Sequence, residues 1–297
     1  MSTDKLRMPS YGGQALIEGV LMRGKRHLAA AYRTPDGEIM VEHEPLTGLY
    51  TTHWAKLPFL RGIVLLWDAI GLGTKYLSKS ANVQGDENEK IEGPTLYLTL
   101  AFSFLIGIGI FFVAPALIGK FLQNVLNLNT LAMNLVEGVM RLSIMLVYLW
   151  AVGKSKDIQR VFSYHGAEHK TINAFEAGAE LIPEKVSGFS LQHPRCGTSF
   201  LLTLIIFSII LFSLLGDLNM LQTILTRILL LPVLSMFAYE YQRFTANHMD
   251  NPAIKWLMKP NLALQKLTTR EPSLDMLEVS IAAFSKMYEL ENSLPSE

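Results

Sequence analysis

Two histidines and a carboxylate crowd one helical turn in Tyr164-His165-Gly166-Ala167-Glu168-His169-Lys170. The core of this stretch reads H-x-x-E-H, the inverse of the H-E-x-x-H pattern of zinc hydrolases. Residues four apart share a helix face, so His165 and His169 can reach one divalent ion, with zinc the natural fit. Glu168 then becomes the candidate general base, taking a proton from water that the ion acidifies. The plain alternative is a solvated polar helix face, because two histidines without a third ligand do not define a site.

Glu176 lies on the same stripe as His169, but seven residues further on means roughly 10 Å of rise, too far to share one ion. Two candidates remain for the third ligand. His193 can be brought back over the helix by the loop 179–192, and Glu240 stands at the end of the last apolar run. Either set leaves an open position of the kind catalytic zinc uses. Cys196, in His193-Pro194-Arg195-Cys196-Gly197, offers a competing chemistry. Beside Arg195 and at the start of a long helix, it suits a nucleophile paired with a histidine, a metal ligand, or simply a small buried residue. Arg195 could hold an anionic substrate group or a developing oxyanion.

The elements that position these groups are unusually apolar. The chain has 297 residues, 50% hydrophobic and 18% charged, with a mean hydropathy of +0.27. Four runs are long and apolar enough to cross a bilayer: Pro94 to Gly119, Leu131 to Val152, Thr198 to Gly216 and Leu221 to Tyr239. Of the 26 lysines and arginines, all but Lys120, Arg141 and Arg227 fall on one side of a four-span arrangement. The positive-inside rule then puts both termini and the central loop in the cytoplasm of a multi-pass protein of the bacterial inner membrane. Met1 to Tyr11 is polar and has no signal-peptide core. A formal net charge of zero predicts no nucleic-acid partner, and a single cysteine excludes an internal disulfide framework.

The expected fold is mainly α: a four-span transmembrane bundle with a cytoplasmic cap that contains a small β-hairpin. Residues 1–93 form a cytoplasmic leader, 94–153 the first two spans and 154–197 the loop with both motifs. Residues 198–241 form spans three and four, and 242–297 a helical tail. In the leader, Leu28 to Arg33 and Glu38 to His43 read as strands joined by the turn Thr34-Pro35-Asp36-Gly37. Trp54 to Leu77 reads as an interfacial or re-entrant helix, and Ser80 to Gly93 as a linker. A helix is expected from Asp157 to Ala177, ended by Gly178. An amphipathic one from Ser273 to Leu290 carries Leu274, Leu277, Ile281, Phe284 and Tyr288 on one stripe.

Within the second run, Glu137 and Arg141 are spaced i, i+4 and can neutralise each other; Arg227 can snorkel outward or meet Asp217. Gly12-Gly13-Gln14 copies the tripeptide of peptide release factors, but no basic RNA-binding patch accompanies it. The longer run to Gly24 reads as close backbone approach beside a helix, with Glu18 as a lesser candidate for the polar site.

The blocks GGQALIEGVLMRG, FSYHGAEHKTINAFEAG, HPRCGTSFL, YEYQR, LQKLTTREP and LEVSIAAF, spread over nearly the whole chain, resemble the YqhQ-like family of bacterial membrane proteins. That resemblance implies a multispan inner-membrane protein of unknown function, predicted to be a metal-dependent enzyme. The leading expectation is therefore a zinc-type hydrolase at the cytoplasmic membrane face. Its metal residues would be His165, His169, His193 and Glu240, and its catalytic ones Glu168, Arg195 and Cys196. Partners are the lipid bilayer and a membrane-associated or cytoplasmic protein, with homo-oligomers allowed. The rivals are a scaffold that recruits a soluble partner, favoured by an exposed C-terminal helix, and a transporter.

Overall fold

The computed structural model describes residues 11–85 and 93–293. The described residues begin with four strands, β1 (Gly12–Leu16), β2 (Gly19–Arg23), β3 (His27–Arg33) and β4 (Ile39–Pro45), paired in sequence order as an antiparallel meander. Strand side chains alternate between faces, and here both faces are covered. Leu28, Ala30 and Tyr32 of β3 pack with Leu16 and Tyr76 on one side, and Ala29 and Ala31 with Tyr164, Leu277 and Phe284 on the other. Double burial explains why β3 reads as an unbroken small and apolar run.

Helix α1 (Leu60–Gln84) carries Tyr76 against the first face; α5 (Lys156–Glu176) and α11 (Leu274–Asn292) close the second. Between α1 and α5 run α2 (Gly93–Ile108), a wider π turn over Gly109–Val113, α3 (Ala114–Leu126) and α4 (Thr130–Val152). After α5 come the one-turn α6 (Pro183–Val186), α7 (Gly197–Ser213), α8 (Met220–Leu229), α9 (Leu231–Asn247) and α10 (Pro252–Gln265).

The expected β3–β4 hairpin is present, with its turn closed by Thr34 and Gly37. The sheet is larger than expected, because Gly12 to Arg23 forms a second hairpin, in which Gly13 makes the expected close backbone approach to a helix, α5. Its turn puts Glu18 at φ 52°, in the left-handed region a non-glycine side chain seldom adopts. Arg160 of α5 fixes that residue through two bonds of 2.5 and 2.6 Å, so the hairpin is pinned to the helix that bears the histidines.

Among the described residues, two helical stretches are long and apolar enough to cross a membrane, Gly93–Leu126 and Thr130–Val152. The bent pair α8–α9 makes a third if it counts as one span; α7 is apolar but only 17 residues long. The expected single run Leu221 to Tyr239 is broken by 45° between α8 and α9. Pro232, in the first turn of α9, cannot donate the hydrogen bond that would continue α8 through it. The leader helix begins at Leu60 rather than Trp54, which lies in a short 3-10 turn. Its Ile63, Trp67, Ile70 and Leu77 form an exposed apolar stripe. The expected linker starts later than Ser80, since α1 runs to Gln84; residues 86–92 lie outside the described residues, as does Met1 to Ser10.

Inside the apolar bundle, Glu137 and Arg141 pair as expected, at 2.6 Å. Arg227 does not snorkel or meet Asp217, which bonds Lys120 instead. It joins the first pair, with Nε and Nη2 at 3.0 and 2.8 Å from the Glu137 carboxylate and Nη2 also at 2.8 Å from Asn134. Arg141 Nε donates to the Phe111 carbonyl in the π turn, where the i→i+5 pattern frees backbone oxygens. Glu137, Arg141 and Arg227 are all almost fully buried.

Candidate metal centre

Helix α5 ends where Gly178 takes a left-handed φ of 71°, and the chain then returns through α6. Asn173 of α5 donates to the carbonyls of Ser190 and Gln192, which lays the return loop along the helix. Gln265 of α10 clamps the next residue from both sides, accepting from His193 N–H and donating to its carbonyl. Gln242 of α9 donates to the Cys196 carbonyl. Three amides, of which Gln265 and Gln242 are buried, thus deliver the HPRC segment onto the histidine face.

There, ligand atoms of His165, His169 and Cys196 lie within 4.8 Å of one another. Cys196 is the N-cap of α7, and its Sγ sits 3.3 Å from His165 Nε2. In a tetrahedral zinc site with Zn–N and Zn–S bonds of roughly 2.0 to 2.3 Å, neighbouring ligand atoms are about 3.5 Å apart. The donor set therefore fits such an ion. The ring orientations fit as well. His165 Nδ1 is 2.8 Å from the Thr268 carbonyl and His169 Nδ1 is 2.6 Å from the Leu191 carbonyl. A carbonyl can only accept, so each Nδ1 carries the proton and a neutral ring turns its Nε2 lone pair inward. Fixing the far nitrogen on a backbone oxygen is how proteins orient metal-binding histidines.

Glu168, on the same helix turn, sits against β1, where the Gly13 N–H bonds its carboxyl. A Cβ at Gly13 would meet both Glu168 and the Leu21 carbonyl, so only glycine allows this approach. Burial pushes the Glu168 carboxyl up to about 7, opposed by the adjacent His165 and the Gly13 N–H. Close to neutrality it can both take and give a proton.

The remaining predicted residues are placed differently. His193 is buried with its ring 5.7 Å from that of His169, but it does not join the ligand cluster. Among the described residues its Nε2 has no hydrogen-bond partner, and it lies 3.7 Å from Glu176. Burial pushes its pKa down to about 4, so the ring is neutral at physiological pH. Arg195 pairs with Glu176 through Nη2, while its buried Nε has no hydrogen-bond partner among the described residues. Burial works against charge on Glu176, yet His193 and Arg195 hold its carboxyl below the ordinary range.

Glu240 is not a ligand in this arrangement. It pairs with Arg61 of α1 and accepts the Phe59 N–H at 2.9 Å, tying α1 to α9. Thr268, Leu191, Gln265 and Gln242 do positioning work that the sequence reading did not assign. Two of them act through backbone carbonyls, which leave no side-chain signal.

The chain matches, over residues 57–290, the family described as a protein of unknown function (DUF1385). It is 35% identical over 302 residues to the uncharacterized protein YqhQ of Bacillus subtilis (strain 168), covering 95% of this chain and 93% of that protein. No solved structure matches. The chain belongs to the DUF1385 family.

Proposed function

We propose that this DUF1385-family protein is a metal-dependent hydrolase held at the cytoplasmic face of the membrane. His165, His169 and Cys196 would bind a zinc-type ion, with Glu168 moving the proton. The observation that carries this reading is the convergence of three ligand atoms within 4.8 Å, two of them on rings whose other nitrogen is bonded to a backbone carbonyl. When bound, such an ion supplies Lewis acidity, polarising a substrate oxygen and acidifying water. The protein's own residues do the rest. Thr268 and Leu191 orient the rings, the α7 N-terminus holds Cys196, and Glu168 exchanges protons near pH 7 from its pocket against Gly13.

The membrane placement within this proposal has four crossings, with α7 and the α8–α9 pair supplying the last two. Its support is the concentration of lysine and arginine outside the apolar runs. Elemental analysis of the purified protein tests the centre. About one zinc per chain, lost in a His165→Ala, His169→Ala double variant, is the expected result; metal-free wild-type protein would overturn it.

A second reading has its own observation. The 3.3 Å contact between Cys196 Sγ and His165 Nε2 is also that of a thiol nucleophile with its base. Hydrolysis that survives metal removal and stops on alkylation of Cys196 would select it. The scaffold alternative loses its main support, because α11 buries Leu277 and Phe284 against the sheet and α5.

A further inference from the structure

One residue beyond His169, the helix turns toward an open groove of about 730 Å³. Its walls are Lys170 on α5, the loop segment from Phe189 to Gln192, and the end of α10 with Lys266 and the stretch Thr269 to Glu271. Three cations and one carboxylate line it. Lys170 is the unusual member, since its side chain is 4% exposed and lysine is seldom buried without a firm counter-charge. Its partners are the Ser187 carbonyl and Glu271, whose side chain is 64% exposed and so a weak, solvent-screened anion. Lys266 is exposed and makes no ion pair among the described residues, and the Arg270 guanidinium reaches only the Gly153 carbonyl.

We propose that this groove binds a phosphate-bearing organic anion, which displaces Glu271 from Lys170 and takes Lys266 and Arg270 as further partners. A carboxylate that sits on a buried ammonium while itself remaining in water marks where a stronger anion can bind. Lysine and arginine together suit phosphate: one as a compact charge, the other as a planar donor fork. The volume falls in the range of small-molecule sites, far beyond the needs of a bare inorganic ion. Phe189 and Leu191 provide an apolar wall for an organic body.

The groove also shares its frame with the candidate metal centre. The Leu191 backbone that walls it bonds His169, and Thr269 adjoins Thr268, whose carbonyl bonds His165. The groove proposal stands on these residues alone and does not require a metal.

The test is titration calorimetry on the full chain in detergent, with phenyl phosphate and inorganic phosphate as probes. Metal content is measured on the same samples, so a failure of the metal reading stays separate. Phenyl phosphate is expected to bind more tightly than inorganic phosphate. The Lys266→Gln variant should weaken it by roughly threefold or more, and Glu271→Gln should tighten it by a similar factor, the scale of an exposed charge pair. Both side chains are exposed, so folding is not at stake, and thermal melts check that.

A competition arm with vesicles of phosphatidic acid against phosphatidylcholine separates the sources. Displacement of phenyl phosphate by phosphatidic acid identifies a lipid headgroup, and its absence a soluble phosphate ester. Phenyl phosphate binding that neither variant changes, or none at all to wild type, overturns the proposal.

Discussion

Cys196 Sγ and His165 Nε2 lie 3.3 Å apart although 31 positions separate them in the chain. No local geometry brings them together. The contact exists because Gln265 and Gln242 clamp the HPRC segment while Asn173 lays the preceding loop along α5. A metal held by residues from two separate elements should therefore report on the whole junction. Zinc at about 100 times its dissociation constant is expected to stabilise the native protein by about 2.7 kcal/mol. Thermal melts with and without zinc check this, and neither Cys196→Ser nor His169→Ala should show the shift.

Gly166 gives a more discriminating variant, because it removes no ligand. A Cβ there would meet the Arg270 carbonyl oxygen and the Leu191 side chain. It would push both the Leu191 loop and the α10–α11 connection off α5, and with them the carbonyls that orient His169 and His165. Gly166→Ala is expected to cost about 1–3 kcal/mol by overpacking. It should also lower zinc affinity by roughly 10–100-fold, the cost of losing outer-shell support. Zinc titration of the folded variant reads the second effect; unchanged affinity would mean that the carbonyls do not govern the rings.

What the sequence made legible was local. His165 and His169 fall on one face because a helix repeats every 3.6 residues, and the β3–β4 hairpin announces itself through Thr34 to Gly37. Long-range partnership was hidden. Glu240 looked like a free carboxylate near a membrane end, and its partner Arg61 stands 179 positions away. Glycines disguised the β1–β2 hairpin: the close approach of Gly13 to α5 was legible, the strand pairing around it was not. Cys196 was weighed as a ligand, but nothing in its spacing could rank it above His193. That ranking depends on where Gln265 points the segment.

The Arg141–Glu137–Arg227 cluster supports a prediction about the apolar bundle. One buried carboxylate serves two buried guanidiniums. Glu137→Gln would leave both without a counter-charge, and breaking a buried pair in this way costs about 3–5 kcal/mol. Denaturant unfolding in detergent should show that loss. Arg227→Met should cost less, since it leaves Glu137 with Arg141 and removes the excess cation. An equal or greater loss in Arg227→Met would contradict the assignment of Glu137 as the shared counter-ion.

Glu168 gives a pH prediction whose sign follows from its raised pKa. Its carboxyl titrates near 4.3 in an unfolded chain and is pushed to about 7 in the fold. The buried neutral form is the favoured one, so its contribution to stability is full below about pH 4.3 and is lost as the pH rises through about 7. Chelator-treated protein should therefore lose stability across that window, by at most about 4 kcal/mol for this group. The slope should flatten in Glu168→Gln, which keeps the shape without the charge. If Glu168 also moves the proton in hydrolysis, the rate should rise through the same pH as the carboxylate forms. The glutamine variant should then lose about 10²- to 10⁴-fold in turnover. Urea unfolding at a series of pH values, run beside the activity profile, checks both, and a glutamine variant that keeps the wild-type slope would assign the titration to another group.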